Sequence, residues 1–435
     1  MELKINIPFH VAFIIDKLEN SGFEAYIVGG CVRDSIMGKV PHDWDICTSA
    51  LPEQVISVFR DYKVSSTGLR HGTVTVVIEY IPYEITTYRI EGEYRDNRRP
   101  GKVEFVLNLE SDIKRRDFTV NAMAYNHKRG LIDLYSGVRD IENKKIKCVG
   151  NPCDRLQEDS LRILRAIRFA VRFGFRIEDE TFDAMKNNKY LLKNISAERV
   201  SSELTEILAN LKFVDENKDC PGTKCSYNNT YSSMVIEFIR AVVPDNFNID
   251  YDKAEFNLYN SFPSVELRLA IIFDNPHIKD ILKKLRFSTK IINTAVTVRK
   301  YGYKILAEID IWAAEGNINK PYYARKLLNK IKLNLVRLAI EFAKSQSRNN
   351  DELSTLLEYL YFNVSKCALN KDVCSLSALA LNGSDLIRLG YKGNQVGLIL
   401  NVLLDMVMQD KVLNIKEDLI KSISNISFLA EKTKK

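Results

Sequence analysis

Residues 28–49, Val-Gly-Gly-Cys-Val-Arg-Asp-Ser-Ile-Met-Gly-Lys-Val-Pro-His-Asp-Trp-Asp-Ile-Cys-Thr-Ser, constrain this chain more than any other stretch. A glycine pair, Gly29-Gly30, precedes Arg33 and Asp34, and two carboxylates follow, Asp43 and Asp45, with one residue between them. On an extended strand, side chains at i and i+2 point to the same face, so Asp43 and Asp45 stand side by side. That is a costly arrangement of like charges unless a cation sits between them. Hard carboxylate oxygens are what Mg²⁺ takes from a protein when substrate phosphates supply its other ligands. Two such ions can clamp the attacking and leaving oxygens of a phosphoryl displacement. Gly29-Gly30 lets the backbone approach a triphosphate closely, because no Cβ intervenes. A lone Asp-x-Asp would read as an ordinary surface turn. The glycines and Arg33 upstream turn the reading toward a nucleotide site.

The surrounding pattern is α+β at first and helical afterwards. Apolar spacing predicts a helix over 9–20, then a buried strand at Tyr26-Ile27-Val28 running into the glycine turn. Further strands are expected at Trp44–Cys47, Thr73–Glu79, Tyr83–Thr87, Val103–Val106 and Leu131–Leu134, with helices at 52–60 and 118–126. From residue 156 strand signals nearly vanish. Apolar residues then recur at three and four through Leu161–Val171, Ala197–Leu208, Glu266–Phe273, Tyr323–Ala343 and Leu398–Val407. The polar stretch 215–233 reads as a loop or linker, and Ser345–Asp351 and Asn370–Asp372 as weaker breaks. At 435 residues the chain is too long for one core. We expect a head over 1–148, a helical neck over 149–210, a body over 211–330 and a tail over 331–435. No apolar run reaches transmembrane length, and the N-terminus carries no signal-peptide pattern. Eight scattered cysteines, of which only Cys220 and Cys225 lie close together in a loop-like segment, without a nearby His, predict reduced thiols and a cytoplasmic protein.

The motifs continue beyond the first. Arg115-Arg116-Asp117-Phe118-Thr119-Val120-Asn121-Ala122, Asp133-Leu134-Tyr135-Ser136-Gly137, Glu158-Asp159-Ser160-Leu161-Arg162 and Ile195-Ser196-Ala197-Glu198-Arg199 follow it in order. In this set and order the chain resembles the class II tRNA nucleotidyltransferases, the CCA-adding enzymes, and their relatives the bacterial poly(A) polymerases. The likeness covers residues 26–205 and is looser beyond 210. It implies a polymerase-β-like nucleotidyltransferase head followed by an all-helical neck, body and tail.

The resemblance also assigns roles to residues. Asp43 and Asp45 would hold the metal, and Glu84, in a matching Glu-x-Thr-Thr stretch, is the candidate third acid. Glu84 would accept the attacking hydroxyl proton or tune the metals. Gly30, Arg33, Arg116, Asp117 and Asn121 belong to the nucleotide-binding motifs, with Arg116 facing the triphosphate and Asp117 accepting from a ribose hydroxyl. The segment Arg89–Lys102 falls where CCA-adding enzymes carry a flexible loop associated with adding the terminal A. The hinge motif is Asp133–Gly137.

Asp159 and Arg162 carry the base-reading expectation. Three apart on one helix they are neighbours and would hold each other in place. A carboxylate offers acceptors and a guanidinium a rigid fork of donors. Cytosine and adenine each present an amine beside an acceptor, whereas guanine and uracil reverse or lose that pattern. Arg165 and Arg168 match family positions that contact the nucleotide. The net charge of +7 hides a basic run in which Lys283, Lys284, Arg286 and Lys290 are candidates for RNA phosphate contact. Asp274-Asn275-Pro276-His277 lacks the His-Asp pair of a phosphohydrolase, so no second hydrolase is expected. The expected function is addition of CCA to the 3′ end of tRNA from CTP and ATP with Mg²⁺. An A-adding-only enzyme and a poly(A) polymerase remain as alternatives of the same chemistry.

Overall fold

A computed structural model describes residues 4–432 apart from 67, 92–93, 96–98, 101–102, 212–225, 244–248, 260, 315–320 and 348–349. The chain divides into two compact units. One comprises the described residues up to Leu211 together with the helix Ser226–Val242, and the other those from Ile249 onward.

The first unit opens with α1 (Phe9–Asn20), whose Val11, Ile14, Ile15 and Leu18 form one buried stripe. It leads into β1 (Ala25–Val28), buried at all four positions and therefore an interior strand. Around it lie α2 (Gly30–Ile36), β2 (Ile46–Thr48), α3 (Pro52–Val58), β3 (Lys63–Ser65), β4 (Thr73–Ile78) and β5 (Ile81–Thr87). The segment after β5 doubles back on itself. β6 (Arg89–Glu91) pairs with β9 (Val103–Phe105), and β7 (Tyr94–Arg95) with β8 (Arg99–Pro100). Residues 92–93, 96–98 and 101–102 of the expected A-adding loop lie outside the described residues. Then follow α4 (Leu109–Lys114), β10 (Ala124–Asn126), β11 (Gly130–Ile132) and α5 (Gly137–Glu142).

The main sheet has seven strands in the order β11-β10-β1-β2-β5-β4-β3. All its pairings are antiparallel except β2 with β5, which run parallel with Ile46 opposite Ile85. The mixed sheet and the helical remainder are those expected of the α+β head with a helical neck, body and tail.

The helix expected over 118–126 is not formed. A single 3₁₀ turn, Thr119–Asn121, gives way to β10, with Tyr125 opposite Ile27 and Ala124 opposite Val28. All eight residues from Phe118 to Tyr125 are buried, and six of them, Phe118, Val120, Ala122, Met123, Ala124 and Tyr125, are apolar. Such a near-continuous apolar run suits a strand covered on both faces, and periodicity cannot tell it from a buried helix. α5 packs on that turn so closely that a Cβ at Gly137 would overlap the Thr119 carbonyl oxygen. The Asp133 carboxylate accepts from the Gly137 and Val138 amides at 2.7 and 3.0 Å, so the expected hinge motif holds the start of α5.

Helices α6 (Pro152–Glu158), α7 (Leu161–Phe173), α8 (Asp179–Asn188) and α9 (Ala197–Asn210) complete the neck. The loop expected over 215–233 is corrected from Ser226, where the helix Ser226–Val242 begins; Cys220 and Cys225 lie outside the described residues. Burial of Tyr231, Met234, Val235, Phe238 and Ile239 on one side gives that helix a reason to form despite its polar first turn.

Among the described residues the second unit is helical, and its helices gather into apolar clusters. One gathers the helices Thr289–Ala314, Tyr322–Lys330, Leu333–Gln346 and Asp351–Leu369 around residues such as Ile309, Trp312, Ile340 and Leu360. The expected continuous helical stretch Tyr323–Ala343 is broken at Ile331-Lys332, both extended. Another cluster gathers Gly383–Arg388, Asn394–Met408 and Lys416–Lys432 around Leu386, Leu403 and Leu419. Arg325 joins them, donating to Asp372 and Asp410 at 2.7 Å and to the Met408 carbonyl at 2.8 Å.

Candidate active site

The site begins where β1 ends. Gly29 turns the chain at φ +78°, and a Cβ there would stand 3.0 Å from the Arg116 guanidinium. Glycine is thus required both by the backbone angle and by the approach of Arg116. The Gly29 amide donates to the Met123 carbonyl at 3.1 Å and the Val28 amide to the Asp45 carbonyl at 3.0 Å. These bonds tie the turn to the segment that carries Asp43 and Asp45.

That segment lies just ahead of β2, which starts at Ile46 rather than at Trp44. Asp43 and Asp45 are both exposed. Although Asp45 is open to solvent, the protein packed around its carboxylate strips away enough water to push its pKa up. Asp43 pushes it the same way, and Arg116 opposes them. Two carboxylates in this state are suited to a divalent cation, which relieves both the crowding and the repulsion. The β2–β5 register sets Glu84, exposed on β5, alongside Asp45. Among the described residues no three His, Cys, Asp or Glu side chains gather closely enough to hold one ion. Glu84 therefore stands on the neighbouring interior strand without joining the pair.

Arg116 is held from behind. Asp112, 1% exposed, accepts from Arg116 Nη2 at 3.1 Å and from Arg115 Nε and Nη2 at 3.0 and 2.7 Å. Burial works against the Asp112 charge, but the Arg116 and Arg115 guanidiniums outweigh it and hold the carboxyl below its usual range. Among the described residues Arg116 Nε is buried with no hydrogen-bond partner. A buried cation with a donor to spare is a fit for a phosphate oxygen.

A second chain of contacts runs from the head into the neck. Arg33 donates to Asp34 at 2.9 Å and to Asn121 Oδ1, and its guanidinium lies 4.6 Å from the Phe173 ring centre. Asn121 Nδ2 donates to Asp117 Oδ1 at 3.1 Å, and the Phe118 amide donates to the same oxygen at 2.8 Å. Arg165 donates to Asp117 Oδ2 through Nε at 2.8 Å and Nη2 at 2.6 Å. Burial raises the Asp117 pKa, but Arg165 and the other donors more than reverse it, leaving the carboxyl at about 2. Four donors fill this carboxylate's acceptor sites. In this arrangement Asp117 fastens head to neck and keeps no acceptor for a ribose hydroxyl.

The neck pair does not hold itself. Arg162 Nη1 donates to Glu158 Oε2 at 2.6 Å and to the Arg155 carbonyl at 2.7 Å, and Nη2 to the Arg115 carbonyl at 3.2 Å. Asp159 accepts from Arg199 Nη2 at 2.8 Å and from the Leu161 amide at 3.1 Å. Arg168 pairs with Glu203 at 2.7 Å. Gly30, the first residue of α2, has Arg33 Nη2 3.6 Å from where its Cβ would be.

The Poly A polymerase head domain family matches residues 25–147, and the family described as a probable RNA and SrmB-binding site of polymerase A matches 174–214. The crystal structure of the Bacillus stearothermophilus CCA-adding enzyme in complex with CTP superposes at a TM-score of 0.72 with 26% identity, covering 99% of this chain and 100% of that one. A CCA-adding enzyme of Bacillus cereus (strain AH820) is 42% identical over 278 residues, 62% of this chain and 69% of its own. That of Ligilactobacillus salivarius (strain UCC118) is 33% identical over 425 residues, 95% of both chains. The chain belongs to the CCA-adding enzymes.

For a CCA-adding enzyme the consequential correction concerns Asp159 and Arg162. The expected contact between them assumed one helix through both. Asp159 instead sits at φ −138°, ψ 102°, between the end of α6 and the start of α7. The extended backbone separates the two side chains, and each finds a partner elsewhere. Sequence reasoning also missed Asp112, although Arg115 and Arg116 stand at i+3 and i+4 from it, the spacing of helical ion pairs. Arg199 lay within a recognised motif but was given no role. Glu158, four residues before Arg162 in a quoted motif, was likewise given no role, whereas Glu203 is a partner only the fold could supply.

Proposed function

We propose that this CCA-adding enzyme builds the 3′-terminal C-C-A of tRNA from CTP and ATP without a nucleic-acid template, releasing pyrophosphate. The observation that carries the reading is the juxtaposition of Asp43 and Asp45 with the Gly29 turn and the unpartnered donor of Arg116. Asp43 and Asp45 would hold Mg²⁺, which supplies charge neutralisation at the reacting phosphate and activation of the attacking hydroxyl. The triphosphate lies against Gly29, Gly30 and Arg116. Because Asp112 fixes Arg116 beforehand, that cation meets the developing negative charge without reorganising. Arg33 and Asn121 support the turn from below, and Arg165 and Arg168 line the neck side. Glu84 would accept the proton of the tRNA 3′-hydroxyl as it attacks the α-phosphate, or tune the metals.

Base choice falls to Asp159 and Arg162, whose acceptor and donor edges match the amine-plus-acceptor face of cytosine and adenine. Arg199 and Glu158 hold them in the present arrangement, so reading a base exchanges those partners for the nucleotide. We assign the chemistry to residues 1–148, base reading to 149–210 and tRNA binding to 211–330 and 331–435. Lys283, Lys284, Arg286 and Lys290, all exposed, are phosphate contacts. No described helix is long and apolar enough to cross a membrane. Buried, unpaired Cys31, Cys47, Cys148 and Cys367 support work in the reducing cytoplasm.

The test is incubation with tRNAs lacking all of CCA, its last two nucleotides or only the final A, with CTP and ATP supplied separately. Stepwise C, C and A incorporation is expected. Addition of A alone would mark an A-adding enzyme, and repeated A on any RNA a poly(A) polymerase.

A further inference from the structure

In the second unit a shallow groove of about 570 Å³ lies between the helix Thr289–Ala314 and the turn that joins Tyr322–Lys330 to Leu333–Gln346. Its polar lining is Thr294, Thr297, Asn329, Lys330, Lys332 and Asn334, over a floor of three aliphatic side chains, and no acidic residue contributes to it. Lys330 and Lys332 are exposed, and neither makes an ion pair with an acid among the described residues. The extended Ile331-Lys332 break sets these two ammonium groups at the groove. Lys290 lies one helical turn before Thr294 on the same helix, so the groove continues the basic run.

We propose that this groove binds the sugar–phosphate backbone of duplex RNA, a contact that rests on the tRNA-directed function above and adds residues to it. The mixture of groups argues for RNA rather than a small anion. Two cations suit phosphates, while the neutral groups suit hydroxyls. Thr297 donates its own proton to the Asn293 carbonyl at 2.7 Å, so its oxygen faces a ligand as an acceptor. Asn329 and Asn334 offer both donor and acceptor. Acceptors beside phosphate-binding cations are what a ribose 2′-hydroxyl requires, and A-form RNA displays 2′-hydroxyls across a wide, shallow minor groove. An open, shallow surface also fits a duplex better than a single bound ion.

The experiment compares the wild type with Lys330→Ala/Lys332→Ala and with Lys330→Arg/Lys332→Arg. It measures tRNA affinity across a salt series and CTP incorporation at saturating tRNA. Each phosphate contact contributes roughly 0.7 to 0.9 to the slope of log affinity against log salt. The alanine variant should lose about 1.5 of that slope and on the order of tenfold in affinity. Its incorporation rate at saturating tRNA and its CTP KM should stay at wild-type values, and the arginine variant should bind as the wild type does. An unchanged slope and affinity in the alanine variant would overturn the proposal, as would an arginine variant as weak as the alanine one. Failure of the functional reading looks different: the wild type itself would then incorporate no nucleotide, whatever its salt slope.

Discussion

The two units use positive charge in opposite ways. In the first, the cations of the site are set in place by carboxylates: Arg116 by Asp112, Arg165 by Asp117, Arg162 by Glu158 and Arg168 by Glu203. Asp112 is 1% exposed and the Asp117 side chain 10%. In the second, Lys283, Lys284, Arg286, Lys290, Lys330 and Lys332 are exposed. Fixed charge in a crowded, poorly hydrated site acts strongly on a transition state and costs no reorganisation when the reaction occurs. Exposed charge in water acts weakly at any one contact and is screened by salt, but many contacts add on a polyanion. On the proposed function, the contrast is that between cations fixed for chemistry and exposed cations that would hold a long charged partner, although Arg325 of the second unit is itself fixed by Asp372 and Asp410.

The strongest test removes the chemistry and leaves the holding. Asp43→Ala or Asp45→Ala should reduce nucleotide addition by about a thousandfold or more, because each deletes a metal ligand. tRNA affinity and thermal stability should hardly change, since both side chains are exposed. Near-normal activity in either variant would remove that residue from the metal pair.

Next in size is base choice. A site built on matched donors and acceptors rejects mismatched partners because its own groups go unpaired. Arg162→Ala and Asp159→Ala should each lose tenfold or more in CTP and ATP incorporation, on the order of one charged hydrogen bond. They should also accept UTP and GTP more readily relative to the wild type. Unaltered selectivity in both would leave Arg162–Glu158 and Asp159–Arg199 as structural ion pairs only.

A smaller effect probes the seam between head and neck. The ordinary Asp117 carboxyl would titrate near 3.8, and in the folded protein it lies at about 2. A carboxylate with a depressed folded pKa stabilises the fold above its unfolded value and loses that contribution as pH falls through the folded one. The window therefore runs from about pH 4 down to about pH 2, with roughly 2 kcal/mol at stake. Asp117→Asn should flatten the fall in melting temperature across that window. An identical pH profile in variant and wild type would show that Asp117 and Arg165 do not couple folding to protonation.

What was legible in the sequence divides along the same line. Asp43, Asp45, Gly29 and Arg116 were named from short-range patterns, the glycine pair, two acids one residue apart and the Arg115-Arg116-Asp117 motif, although Asp43 and Asp45 lie ahead of β2 rather than on it. The β1 and α7 elements were equally readable from burial and period. The segment Phe118–Asn126 misled because a strand buried on both faces and a buried helix share an apolar run, and only the neighbouring β1 decides between them. The partners of Asp159, Asp117 and Arg168 were illegible for a related reason. Arg199, Arg165 and Glu203 arrive from 35 to 48 residues away, and nothing local marks them.

The smallest single-site effects belong to the basic run, where the comparison is easiest to break. Neutralising Lys283, Lys284, Arg286 and Lys290 together removes exposed charges on and after the helix Ile278–Lys284. If they track phosphates, each contributes up to about 0.9 to the salt slope, so the fourfold variant should bind tRNA with a markedly flatter dependence. Any one substitution should change affinity only a few-fold, because each contact is solvated and screened. Addition at saturating tRNA should match the wild type, since the proposed function gives the four residues a part in holding tRNA and none in the chemical step. An unchanged slope in the fourfold variant would reduce the run to a solvated helix face. A fall in the rate at saturating tRNA would contradict the division itself, because charge meant only for holding would then be acting on the chemical step.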